Sequence, residues 1–173
     1  MDWQEIDAYI AGAVSGQTFA CGKGCAWCCH QLVVLTRWDD GREILAAARE
    51  AFSPEEFAAF ATRVREQARA IAAVGHEAAE GRRWTCPLLK AGQCTVYAVR
   101  PVACRSVFSS DAAICQAMME ADDFDELSSR QQVLATQIGD RAFQLQIAIN
   151  DRRPVDGPIE LRQLLAQLLD SEG

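Results

Sequence analysis

Lysine is nearly absent from this chain: Lys23 and Lys90 stand alone against fifteen arginines. Genomic GC bias produces such an imbalance, and so does a need for fixed guanidinium forks; the first is the simpler account. Positive charge is short overall, with 17 Lys and Arg facing 24 Asp and Glu for a formal −7 before any thiolate is counted. That deficit argues against broad binding to nucleic acid, which needs a positive footprint to neutralise phosphates. No apolar stretch approaches the ~20 residues of a membrane span, so no membrane partner is expected. The opening MDWQEIDAYIAGA is acidic and amphipathic, without the positive n-region and apolar h-region of a secretion signal. A cytoplasmic location is therefore expected. Histidine is scarce too, and neither His30 nor His76 has the Ser or Asp context of a hydrolase triad. Internal repeats and low-complexity tracts are lacking.

What the chain does have is cysteine. Four of its eight cysteines fall in one run, Cys21, Cys25, Cys28 and Cys29, spaced C-x3-C-x2-C-C and followed by His30. The other four, Cys86, Cys94, Cys104 and Cys115, occupy a second segment beyond a long insert. In a reducing compartment clustered cysteines read as metal ligands or redox groups; in an exported protein four disulfides would be the alternative.

The remaining sequence reads as helix, in a chain of 173 residues with 50% hydrophobic content, enough for one real core. Trp3, Ile6, Ile10 and Ala13 give a first amphipathic helix ending near Gly16. Residues 20–31 read as a loop or short helical turn, and Leu32 to Leu35 as a brief strand or a lead-in to the next helix. Thr36 and Asp39 resemble a cap for a helix that buries Ile44, Leu45, Ala48 and Phe52. Ser53-Pro54-Glu55-Glu56 combines an N-cap Ser, Pro at the first helical position and Glu at N3. Phe57, Phe60, Val64, Ala68 and Ile71 extend that helix toward Glu80. Residues 84–115, with Pro87, Gly92 and Pro101, read as loops with at most short strands or turns. A long helix is expected from about Asp123 to Asn150, with the acidic run 120–126 at its start, favoured there by the macrodipole. That run lacks the Gly and spaced oxygen ligands of a calcium loop. Asp156-Gly157-Pro158 reads as a turn before a last helix bearing Leu161, Leu164, Leu165 and Leu168. The expected architecture is an all-α single domain, 1–173, packed around an irregular cysteine-rich metal-binding centre. Its cysteine core lies at about 18–115 and its C-terminal helices at about 123–170.

Tetrahedral zinc needs four N or S donors, and iron–sulfur clusters take four cysteines. Cys25-x2-Cys28 is a chelating knuckle, because two intervening residues let both sulfurs turn toward one ion, and Cys21 adds a third donor. Adjacent Cys28 and Cys29 do not easily point at the same tetrahedral ion, so one of them is expected to serve a second metal, a bridge or chemistry. The second segment has gaps of seven, nine and ten residues and no knuckle. Its sulfurs must converge by tertiary folding, which favours a centre closed by both halves. C-x3-C-x2-C also matches the cluster motif of radical-SAM enzymes, but that fold is a strand-rich partial barrel and this chain is shorter and helical.

CGKGCAWCCH, followed at a distance by CPLLKAGQCTVYAVRPVACRSVF and Cys115, resembles the YkgJ-type cysteine-cluster family of zinc- or iron-chelating domains. The resemblance spans roughly residues 18–115 and rests on a Cys-Cys pair, Cys-Pro-Leu, Gly-x-Cys-x-Val-Tyr and Arg-Pro-x-x-Cys-Arg. It implies metal chelation by Cys21, Cys25, Cys28, Cys29, Cys86, Cys94, Cys104 and Cys115. Relatives of this type include a flagellin lysine methylase, which implies iron–sulfur-dependent modification as one activity.

Around the cysteines, His30 is a candidate ligand or hydrogen-bond donor to sulfur, and His76 a surface or helix-end residue. Arg100 and Arg105 flank the Pro101–Cys104 stretch. They are candidates either for tying loop carbonyls and balancing thiolate charge, or for clamping a substrate carboxylate beside the metal. Tyr97 is expected to pack, with its hydroxyl hydrogen-bonded, and Trp27 to shield the centre from water or face a partner. The leading expectation is a metal-binding protein holding an iron–sulfur cluster or zinc, iron slightly favoured; if it is an enzyme, the expected class is iron- or Fe–S-dependent modification of a peptide or small molecule. The alternatives are a structural zinc module presenting a protein-binding surface, and a metal carrier or redox sensor.

Overall fold

The clearest helix start in the sequence also organises the fold. In the computed structural model, which describes residues 2–22, 24–30, 33–80, 82–153 and 159–171, Ser53 Oγ accepts from the Glu56 amide at 3.2 Å. The Glu56 carboxylate in turn accepts from the Ser53 amide at 2.9 Å. With Pro54 at the first position, this reciprocal cap starts a helix at Pro54–Val74. The helix stops at Gly75, whose φ of +82° suits glycine, and the chain restarts as a short helix, His76–Glu80. The single helix expected to run to Glu80 is thus two.

In chain order the helices are α1 (Trp3–Ala13), α2 (Trp38–Ala51), α3 (Pro54–Val74), α4 (His76–Glu80), α5 (Val102–Ser106), α6 (Ala112–Glu120), α7 (Ser129–Asn150) and α8 (Leu161–Ser171). Short 3-10 turns form at Trp27–His30, Tyr97–Val99 and Phe124–Glu126. The chain is a mostly helical single domain. Among the described residues no helix is long and apolar enough to cross a membrane.

The main core lies between α2, α3 and α8, where Ile44, Leu45, Ala48, Phe60, Val64, Leu161, Leu164 and Leu165 are buried. Each such large side chain contributes about 1.5–3 kcal/mol by leaving water. α2 and α8 approach closely at Gly41, where an added Cβ would stand 2.5 Å from Leu164 Cδ2. A second cluster joins Ile6 and Ile10 of α1 to Val102 of α5 and Ile149 of α7, with Trp3, Tyr9 and Phe108 packed against it.

Two small antiparallel ladders steer the loops. β1 (Leu35–Thr36) pairs with β4 (Ile159–Glu160), Leu35 opposite Glu160. The Leu161 amide continues the contact by donating to the Val34 carbonyl at 2.7 Å. The start of α8 is thereby fixed beside the chain leaving the first cysteine run. β2 (Leu89–Lys90) pairs with β3 (Gln93–Cys94) across Ala91 and Gly92, both at positive φ (48° and 73°), as a two-residue type I′ hairpin requires. Lys90 Nζ lies 2.5 Å from Glu56 Oε1, tying the hairpin tip to the α3 cap.

Three expectations need correction. Thr36 does not cap α2: it sits in the β1 ladder opposite Ile159, and α2 begins after Arg37 without a side-chain cap. The acidic run does not open the long helix. Asp123 caps the 3-10 turn at Phe124–Glu126, and α7 begins later with its own Ser128–Gln131 capping box. Cys115 is not in a loop but on α6. Lys23, Leu32, Gly81 and the expected Asp156-Gly157-Pro158 turn lie outside the described residues.

Candidate metal centre

The first cysteine run folds as an exposed loop leading into the 3-10 turn Trp27–His30, which carries Cys28 and Cys29. Backbone hydrogen bonds stitch this run to the second segment. The Cys86 amide donates to the Cys29 carbonyl at 2.7 Å, and the Ala20 amide to the Ser109 carbonyl at 2.8 Å. His30 Nδ1 lies 3.1 Å from Thr85 Oγ1, so this histidine pins the seam; it does not line the site.

Between the two segments lies a cavity of about 420 Å³, and six cysteines line it: Cys25, Cys28, Cys29, Cys86, Cys94 and Cys104. Its mouth is formed by the exposed Gly22, Gly24, Cys25 and Tyr97, and its floor by the buried Leu88, Leu161 and Arg162. No carboxylate lines it among the described residues. Cys21 and Cys115 lie outside this wall. Cys21 Sγ accepts from the Ser109 amide at 3.2 Å, and Cys115 bonds the Ser109 side chain. None of the eight cysteines is joined in a disulfide in this structure.

Each cavity cysteine is held by its own local structure. The β2–β3 hairpin delivers Cys94, whose sulfur accepts a backbone N–H from Val96; Cys86 receives one from Leu88 in the same i+2 relation. α5 carries Cys104 toward the cavity and Arg105 toward α1. Burial pushes the Cys86 thiol up to about 11 and the Cys104 thiol higher still. Cys28 and Cys29 titrate as a pair. The Cys29 thiol donates to Cys28 and holds it down to about 7, while the same bond and burial push Cys29 far above the usual thiol range. The Arg100 guanidinium favours the thiolates of Cys28, Cys94 and Cys104. Cys28 is the hub, since its charge is felt by Cys21 and Cys115 on one side and by Cys86, Cys94 and Cys104 on the other.

Soft thiol donors with backbone N–H groups aimed at sulfur fit zinc or an iron–sulfur centre by donor chemistry. Their spacing is looser. Among the described residues no three His, Cys, Asp or Glu side chains converge as a ready coordination sphere. The sulfurs ring a space wider than one ion, whose thiolates stand at roughly 2.3 Å. Closure on a metal therefore takes side-chain rotation or a centre of more than one atom.

The two flanking arginines differ. Arg105 is 2% exposed, pairs with Asp7 at 2.5 Å, donates to the carbonyls of Arg100 (2.7 Å) and Ala98, and lies over the Trp3 ring. It does not line the cavity. Arg100 does, with its guanidinium 3.8 Å from the Tyr97 ring centroid. Tyr97, expected to pack, is 62% exposed and serves as the platform for that cation. Trp27 is half-buried in the 3-10 turn and takes no part in the cavity wall.

The sequence reading passed over the buried network under the floor. Arg162, 1% exposed, donates to Glu160 at 2.7 Å, to Gln67 at 2.8 Å and to the Trp84 carbonyl at 3.0 Å. Gln67 donates in turn to the Thr85 carbonyl at 2.9 Å, so α3, β4 and α8 together set the position of Cys86. A signal was present: Arg162 shares a helical stripe with Leu165 and Leu169, both buried. An arginine on such a stripe must find partners.

The model of a family called CxxCxxCC, described as a "putative zinc- or iron-chelating domain", matches residues 20–126. No curated protein and no solved structure matches the chain.

Proposed function

The chain belongs to the CxxCxxCC family of zinc- or iron-chelating domains, and on that premise we propose that its two cysteine segments close one iron–sulfur centre within the shared cavity. The observation that carries this reading is the six-cysteine wall, drawn from both segments, around a space of about 420 Å³. A single tetrahedral ion needs four donors at close range, whereas this wall offers more sulfur and more room. Cys28, Cys29, Cys86, Cys94 and Cys104 are the core ligand candidates, with Cys25 at the mouth. Cys21 and Cys115, gathered at Ser109, complete the donor set. Such a centre would supply electron transfer or an open iron for a substrate. The protein's own part is to exclude water with Leu88, Val96 and Leu161. The reading places the protein in a reducing, cytoplasmic setting, acting on a small molecule or peptide, without nucleic acid or membrane.

Anaerobic purification with iron, sulfide and zinc analysis and a visible spectrum tests it. Broad visible absorbance with stoichiometric iron and sulfide is the expected result. Colourless protein with tightly held zinc and no iron would overturn it in favour of a structural zinc module, whose closed coordination needs no open cavity.

A further inference from the structure

Arg100 stands apart from the other arginines around the site. Arg105 and Arg162 have carboxylate and carbonyl partners, while Arg100 has no ion pair among the described residues and its buried Nε–H donates to nothing. A buried donor without an acceptor costs on the order of 1–3 kcal/mol, so its retention calls for a reason. The thiols of Cys28, Cys94 and Cys104 feel its charge, but none of them accepts from Nε. The side chain is nonetheless well held. The Tyr97 ring supports its plane at 3.8 Å, and the Arg105 fork fixes the carbonyls of residues 98 and 100 beneath it.

We propose that the cavity mouth is a carboxylate-recognition site, in which the terminal Nη edge of Arg100 takes the carboxylate of a ligand whose apolar portion enters the thiol-lined space. A guanidinium edge matches a planar carboxylate in two parallel hydrogen bonds. Of the two arginines that line the cavity, Arg162 is paired with Glu160, and the one remaining cation suits a singly charged group better than a phosphate dianion. The surrounding thiols and the net charge of −7 disfavour extra negative charge further. Val34, Leu88, Val96, Pro101 and Leu161 supply an apolar lining beside the thiols. This inference rests on reading the cavity as the functional site, but not on which metal it holds.

Calorimetric titration of the purified, metal-bearing protein with hexanoate, hexanamide and inorganic phosphate tests it. Hexanoate should bind about tenfold or more tighter than hexanamide, and phosphate should not compete. Arg100→Gln should bring hexanoate down to the amide's level with metal content and visible spectrum unchanged. Arg100→Lys should restore only part, because an ammonium lacks the fork. Tyr97→Phe should retain binding and Tyr97→Ala should weaken it. Equal affinity for hexanoate and hexanamide, or a preference for phosphate, overturns the proposal. So does loss of metal in step with loss of hexanoate in Arg100→Gln, which would make Arg100 a charge partner of the thiolates. Hexanoate binding by a protein that carries only zinc would overturn the iron–sulfur reading and leave this one standing.

Discussion

The α2–α3–α8 body and the thiol-lined loops lie against each other, yet different forces hold them. In the body, contact follows helical period: α3 and α8 bury continuous apolar stripes, and Gly41 lets α2 approach Leu164. In the loops no period exists. Cys86, Cys94 and Cys104 reach one cavity through a backbone bond to Cys29, a two-residue hairpin and a five-residue helix. The body is therefore held chiefly by burial, with the Arg162 network and the Ser53 cap added, while the loops present half-buried sulfur that gains its full stabilisation only from a bound centre.

That contrast can be broken at the joint. Arg162→Met should have the largest effect, about 3–5 kcal/mol in chemical denaturation, because it leaves Glu160 buried without its partner. It should also loosen Cys86 and lower metal retention. Gly41→Val comes next, at about 1–3 kcal/mol, since its side chain would press on the fully buried Leu164. Metal content of the folded fraction should stay unchanged, which separates body from rim. Ser53→Ala should cost about 1 kcal/mol through the lost cap, again with metal retained. Cys25→Ser, at the exposed mouth, should move metal-free stability by less than about 0.5 kcal/mol. If it unfolds the metal-free protein, the loops are not the separately stabilised region described here.

The body was legible because period and caps are local. Ser53-Pro54 and the stripe through Phe60, Val64 and Ile71 correspond directly to α3. Thr36 misled because a two-residue ladder with Ile159, more than a hundred positions away, competes for it. The acidic residues after Glu120 misled because Asp123 caps its own turn before the chain reaches Ser128. At the site, the cysteine identities announced metal chemistry, but their grouping was not visible. The separation of Cys21 and Cys115 from the cavity depends on Ser109, and the different fates of Arg100 and Arg105 depend on α1 supplying Asp7 and Trp3. Ser109 lies 88 residues from Cys21 in the chain, and Asp7 98 residues from Arg105.

The central claim is that one centre needs both cysteine segments. Metal per folded chain, measured side by side for Cys28→Ser and Cys94→Ser with circular dichroism as the check on folding, tests it most directly. The account predicts that both variants keep the α2–α3–α8 body and that each loses the metal complement, although their substitutions lie in different segments. A Cys94→Ser protein that retains its full complement while Cys28→Ser loses it would contradict the account, because the first run would then be a self-contained site.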